Sequence, residues 1–158
     1  MNDNIQLNAL DNLLKNNNAD YSIFRDDFSI EKAVDGAKHY GISLSETTPT
    51  FILKAKDKYY AAIICGDTRI SFKKLKQVLG VKDITMADPS IVLNLTGAKV
   101  GEVCLINGEL ATLVDHNILK NKNCYGGCGV PKSTLRINPQ DLVRITNAKI
   151  LDFTEPRA

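Results

Sequence analysis

Thr50-Phe-Ile-Leu-Lys-Ala-Lys-Asp-Lys-Tyr-Tyr-Ala-Ala-Ile-Ile-Cys-Gly-Asp-Thr-Arg-Ile-Ser-Phe-Lys-Lys-Leu75 is the stretch that decides the fold. Thr50–Lys56 and Tyr59–Cys65 are runs rich in β-branched and aromatic residues. Asp57-Lys58 separates them as a tight turn without the favoured glycine, so the pair reads as a β-hairpin. Gly66-Asp67-Thr68 breaks the second strand. Ser71 then caps a helix with Phe72, Leu75, Val78 and Leu79 inward and Lys73, Lys74 and Lys76 outward, stopped by Gly80.

The pattern extends in both directions from there. Leu7, Leu10, Leu13 and Leu14 share one helical face, and the polar run Asn16–Asn18 ends that helix. Tyr21–Arg25 alternates like a short strand. Ser29 is positioned to cap a second helix with Ile30, Ala33, Val34, Ala37 and Tyr40 as its buried stripe and Gly41 as its stop. Downstream, Asp88-Pro89 pairs a cap with a first-turn proline and opens a helix running to Thr96-Gly97. Leu110–Asp115 and Ser133–Ile137 read as strands, Asn138-Pro139 starts a short helix, and Lys149–Phe153 reads as a closing strand. Short strands and helices interleave without the long βα alternation of a doubly wound sheet. This predicts one α+β domain over residues 1–158, built on a curved mixed sheet with several short helices. Gly126-Gly127-Cys128-Gly129 neither follows a strong strand nor precedes a helix, so it is not a nucleotide-binding glycine loop.

The 158 residues carry a net charge of +2, but unevenly. Residues 1–53 hold four Lys/Arg against eight Asp/Glu, residues 54–82 hold eight against two, and residues 83–158 hold eight of each. The basic middle segment fits either a phosphate-rich partner or a solvated surface. No apolar run is long enough to span a membrane and the start has no secretory pattern, so a cytoplasmic location is expected. Four cysteines are present. Cys124 and Cys128 form one close pair, and a structural zinc site needs a second. Free thiols, with no metal and no cofactor, are expected.

Several phrases in order then carry a resemblance. Gly66-Asp-Thr-Arg-Ile-Ser-Phe-Lys-Lys-Leu75, Met86-Ala-Asp-Pro89 with Leu95-Thr-Gly97, and Gly101-Glu-Val103 come first. Ala111-Thr-Leu-Val-Asp115, Tyr125-Gly-Gly-Cys-Gly129 and Leu135-Arg-Ile-Asn-Pro-Gln-Asp-Leu142 follow. Their order and spacing, from Leu7 to about Thr146, resemble the YbaK/prolyl-tRNA-synthetase-associated editing family. The resemblance implies an aminoacyl-tRNA deacylase with a small pocket for the terminal adenosine and a wrongly attached small amino acid. Its ester is already activated, so backbone N–H groups that hold the developing oxyanion can suffice. The family's ribose 2′-hydroxyl helps place the attacking water. The implied partners are the acceptor end of tRNA and an aminoacyl-tRNA synthetase, with action in trans expected.

On this mapping Gly101 lines the pocket, or serves as a plain turn glycine. Gly127 and Gly129 form a second backbone wall, or a simple bulge. Asp115 orients ribose or water, or caps the turn His116–Leu119. Tyr21 stacks on adenine, or belongs to the core. Lys73, Lys74 and Lys76 face an acceptor stem, or only solvent. Two positions depart from the family pattern. Thr50 stands where the family carries a lysine, and Lys54, on the same strand face, lies about 13 Å further on. Leu105 stands where the glycine loop carries a proline. Two further readings therefore stand beside the editing hydrolase: a non-catalytic tRNA-binding or regulatory relative, and a hydrolase of another small acyl ester.

Overall fold

The structure is a computed structural model that describes residues 3–30 and 32–157. Helix α1 (Asp3–Asn16) leads into strand β1 (Tyr21–Arg25) and helix α2 (Ala33–Tyr40). The hairpin is β2 (Thr50–Ala55) and β3 (Lys58–Ile63), followed by β4 (Thr68–Ile70), α3 (Phe72–Leu79), β5 (Thr85–Met86) and α4 (Pro89–Thr96). Strands β6 (Ala111–Asp115), β7 (Cys124–Gly127) and β8 (Ser133–Ile137) precede α5 (Pro139–Thr146), β9 (Lys149–Leu151) and β10 (Thr154–Pro156).

The fold is mixed α+β, as expected, but its strands form three sheets. A five-stranded sheet has the order β5-β2-β3-β6-β9, antiparallel across β5, β2 and β3 and parallel across β3, β6 and β9. An antiparallel sheet has the order β1-β8-β7, and β10 pairs antiparallel with β4. The hairpin register pairs Ala55 with Lys58, so the two-residue turn is Lys56-Asp57, one residue earlier than the sequence indicated. Lys56 itself takes the left-handed conformation there, with φ 56°.

Burial explains why β2 and β3 are nearly continuous apolar runs, because alternate residues enter cores on opposite faces. Leu53, Ala62 and Ile64 pack with Leu75 of α3 and with Phe153. Ile52 and Ala61 pack with Val92 of α4 and with Val103. Another core gathers α1, β7, β8 and α5 around Leu14, Cys124, Leu135 and Leu142.

The capping chemistry is partly as read. Ser71 accepts a hydrogen bond from the Lys74 N–H at 3.2 Å, and Asn138 accepts from Gln140 N–H at 2.9 Å. Asp88 occupies its cap position without a side-chain bond. Ser29 is no cap: α2 begins after Lys32, and Val34 is exposed rather than buried. The α2 stripe Ala33, Gly36 and Tyr40 faces a cavity, so its apolar spacing marks a site wall. Leu13 and Val78 are also exposed. Among the described residues, no helix is long and apolar enough to cross a membrane.

Candidate functional site

A cavity of about 500 Å³ opens between α2, the start of β2, the loop Val100–Val103 and β7. Its size is that of a small-molecule pocket. Backbone hydrogen bonds lace these segments together. Thr48 N–H donates to Tyr125 C=O at 2.8 Å, Gly66 N–H to Thr47 C=O at 2.7 Å, and Leu105 N–H to Gly127 C=O at 3.0 Å. Main chain from distant parts of the sequence is thus held together around the cavity, and the Thr48 hydroxyl adds a bond to the same Tyr125 C=O at 3.2 Å.

Gly101 lines the cavity with φ 91°, a conformation open to glycine, and a Cβ there would meet nothing within 4 Å. Gly127 also lines it, for a different reason. A Cβ at Gly127 would sit on the Val103 carbonyl oxygen and 3.0 Å from that of Glu102. The bare backbone therefore lets the Val100–Val103 loop close against β7. Leu105, where a proline stands in the family pattern, is fully buried; a Cβ on Gly126 would meet its Cγ at 2.6 Å. Gly129 is not in the wall. Its N–H donates to Glu102 C=O at 3.0 Å, which ties the loop from behind.

Thr50 lines the cavity, and its Oγ1 is buried without a hydrogen-bond partner among the described residues. A buried unpaired hydroxyl costs about 1–3 kcal/mol. Thr50→Val keeps the shape and removes that cost. We expect a gain of about 1 kcal/mol, read as a higher urea midpoint with an unchanged slope. A lower midpoint would mean that the hydroxyl has a structural partner.

The other expected site residues lie elsewhere. Asp115 is fully buried outside the cavity wall. One of its oxygens accepts from Asn117 N–H at 3.1 Å and the other from Phe153 N–H at 3.0 Å, so it acts as the cap and a strap for the segment after β9. Tyr21 packs beside the α1 core and donates its hydroxyl to Asp11; burial and that carboxylate push its phenol up to about 12. Lys54 lies over the Tyr59 ring. No α3 residue lines the cavity. Lys74 instead reaches Asp152 at 3.3 Å and Thr154 C=O at 2.8 Å. None of the Lys and Arg residues between 54 and 82 lines the cavity; Leu75 packs α3 onto Leu53 and Ile64 of the sheet.

In their place the cavity presents groups that sequence reading missed. Tyr40 and Tyr125 line it, with ring centroids 5.5 Å apart and planes tilted by 33°. Tyr40 donates to Asp26 at 2.6 Å, and burial first, then that bond, pushes its phenol up to about 12. His39 holds the other Asp26 oxygen at 2.9 Å. Lys32, Lys132 and Arg157 stand exposed at the rim. The three cations lie outside helices and strands and carry no periodic signal, and Tyr125 lies in a glycine-rich strand. Only the helical spacing of Tyr40 with Ala33 could have flagged one of the missed groups.

The chemistry open to the site is narrow. Burial pushes the thiol of Cys104 up to about 11 and those of Cys65, Cys124 and Cys128 to about 12, so thiolate nucleophiles are scarce at neutral pH. Asp115, His116 and Asp152 bring three potential metal ligands within 4.8 Å, but both Asp115 oxygens are already engaged by backbone N–H groups. What remains is a pocket of converging backbone, an aromatic pair and a cationic rim.

Comparison with known proteins agrees with this architecture. The chain is 39% identical over 91 residues to the proline–tRNA ligase of a Thermoanaerobacter species, covering 55% of this chain and 16% of the ligase. It is 31% identical over 117 residues to that of Caldicellulosiruptor bescii, covering 74% of this chain and 20% of the ligase. The chain thus spans about a fifth or less of these relatives. The crystal structure of a hypothetical protein superposes with a TM-score of 0.85 at 28% identity, covering 92% of this chain and 99% of the other. A candidate trans-editing enzyme for prolyl tRNA synthetase shares the fold at a TM-score of 0.84 and 19% identity, covering 95% and 97%. The model of the aminoacyl-tRNA editing domain matches residues 29–145. That segment includes the hairpin, both glycine-bearing walls and all of the cavity lining except Asp26, Phe28 and Arg157, and the chain belongs to the aminoacyl-tRNA editing domain family.

Proposed function

We propose that the chain is an aminoacyl-tRNA deacylase, hydrolysing the ester that joins a mischarged small amino acid to the 3′ end of tRNA. The observation that carries this reading is the convergence of the Val100–Val103 loop and β7 backbone on one cavity, beside two tyrosine rings. Water attacks the ester carbonyl, the acyl–oxygen bond breaks, and the products are the free amino acid and the ribose hydroxyl. The ester is activated by its ribose, so positioning and oxyanion stabilisation by backbone donors supply the catalysis. The terminal ribose hydroxyl places the water, and Tyr40 and Tyr125 offer a stacking face to the base. Gly101 and Gly127 shape the wall around the acyl group. Since relatives with matching sequence include proline–tRNA ligases, tRNA for proline is the substrate to try first, and action in trans beside that synthetase is the corresponding role.

The test is a panel of tRNA for proline charged with alanine, serine, cysteine or proline. The reading predicts accelerated hydrolysis of one or more mischarged forms and sparing of the proline form. Tight binding of every form without hydrolysis would instead favour the non-catalytic reading, which the uncharged Thr50 supports.

A further inference from the structure

The segment after β9 lies outside the residues matched by the family model and brings Arg157 to the cavity. It is anchored at every step. Phe153 is fully buried, its N–H bound by Asp115 and its C=O accepting from Ser71 N–H at 2.8 Å. β10 then runs along β4, pairing Thr154 with Ile70 and Pro156 with Thr68, while Glu155 meets Arg69 at 2.9 Å. Arg157 Nε donates to Thr68 C=O at 3.2 Å. Its Nη groups make no hydrogen bond among the described residues, and the side chain lines the cavity. A guanidinium fixed through Nε still offers a fork of donors suited to a phosphate.

The surrounding charge fits that use. Lys32 and Lys132 share the rim, with Asp26 and Glu102 as opposing carboxylates. Asp26 is already occupied by His39 and Tyr40. Lys132 sits at φ 58°, a region disfavoured for a side-chain-bearing residue, where its C=O accepts from Asp26 N–H at 2.8 Å. Three cations, Lys32, Lys132 and Arg157, thus share the opening with the Glu102 carboxylate.

We propose that Phe153–Arg157 is a positioning arm that sets the Arg157 guanidinium at the cavity mouth to bind a backbone phosphate of the RNA strand whose end enters the cavity. This rests on the deacylase reading for the identity of the strand. The probe is an RNA hairpin ending in an unpaired 3′ CCA, titrated by fluorescence anisotropy across a salt series. Arg157→Gln should weaken binding about tenfold at low salt and lower the slope of log K against log salt by about 0.7. Arg157→Lys should keep the slope and recover only part of the affinity, because charge is retained and the fork is lost. A purely structural arginine would not move the slope. An unchanged slope in Arg157→Gln, or a lysine variant with the glutamine variant's slope, overturns the proposal, even if the wild type hydrolyses mischarged tRNA. An Arg157-dependent slope without hydrolysis of any charged tRNA would sustain the arm and sink the deacylase reading. Failure of the wild type to bind the hairpin overturns both.

Discussion

Gly127→Val is expected to destabilise the protein by about 3 kcal/mol, lowering the melting temperature by roughly 6–12 °C. The new Cβ would land on the Val103 carbonyl oxygen, and backbone cannot yield as the tip of a flexible side chain can. Leu105 N–H donates to Gly127 C=O, so a displaced β7 also strains the bond that closes the glycine loop. Scanning calorimetry with far-UV circular dichroism reads the effect. Gly101→Ala is the matched comparison: its Cβ meets open space, and the positive φ alone should cost about 1–2 kcal/mol. If Gly127→Val melts like the wild type, the tight approach of loop and strand is wrong.

Asp115→Ala carries the second large effect. Its buried carboxylate accepts from two backbone N–H groups 36 positions apart, Asn117 and Phe153, and alanine leaves both without that acceptor. Leaving the buried Phe153 donor unpaired costs about 1–3 kcal/mol and losing the cap at the part-buried Asn117 about 1 kcal/mol, so a loss of about 2–4 kcal/mol is expected. The urea midpoint measures it. Because Phe153 anchors the arm that ends in Arg157, hairpin binding should weaken as well, although Asp115 lies outside the cavity wall. Asp115→Asn keeps an amide oxygen as acceptor and should retain about half of the lost stability. Wild-type stability in Asp115→Ala would contradict the strap.

These two residues show what the sequence could disclose. The hairpin, the Ser71 and Asn138 caps and the helix opened by Asp88-Pro89 were legible, because each is written in neighbouring residues. Asp115 could be read as a cap or a ligand contact; its cap reach is two residues, but its second partner is Phe153, which no local pattern reveals. β7 escaped notice because Cys124-Tyr-Gly-Gly has little strand propensity; pairing with β8 and contact with the glycine loop make it a strand. β4 and β10, three residues each, exist only through each other. The basic cluster at 54–82 was plain in composition, but its orientation was not. The face of the sheet that α3 covers depends on Leu75 packing against Leu53 and Ile64, a tertiary fact. Conversely, Lys32, Lys132 and Arg157 are separated by long stretches of chain and meet only because α2, the turn before β8 and the arm after Phe153 end at one opening.

The most direct test of the account is the initial rate of ester hydrolysis on mischarged tRNA for proline, measured with wild type, with Gly101→Val and without protein. Valine at 101 places bulk on the cavity wall at a site where the fold leaves space, and because φ there is 91° a circular dichroism melt is run alongside so that only a folded variant is compared. The account predicts that the wild type exceeds spontaneous hydrolysis by about 100-fold or more, the order that backbone oxyanion donors supply, and that Gly101→Val falls to near background. A wild-type rate equal to the spontaneous one for every amino acid tried, or an undiminished rate in a folded Gly101→Val, would contradict it.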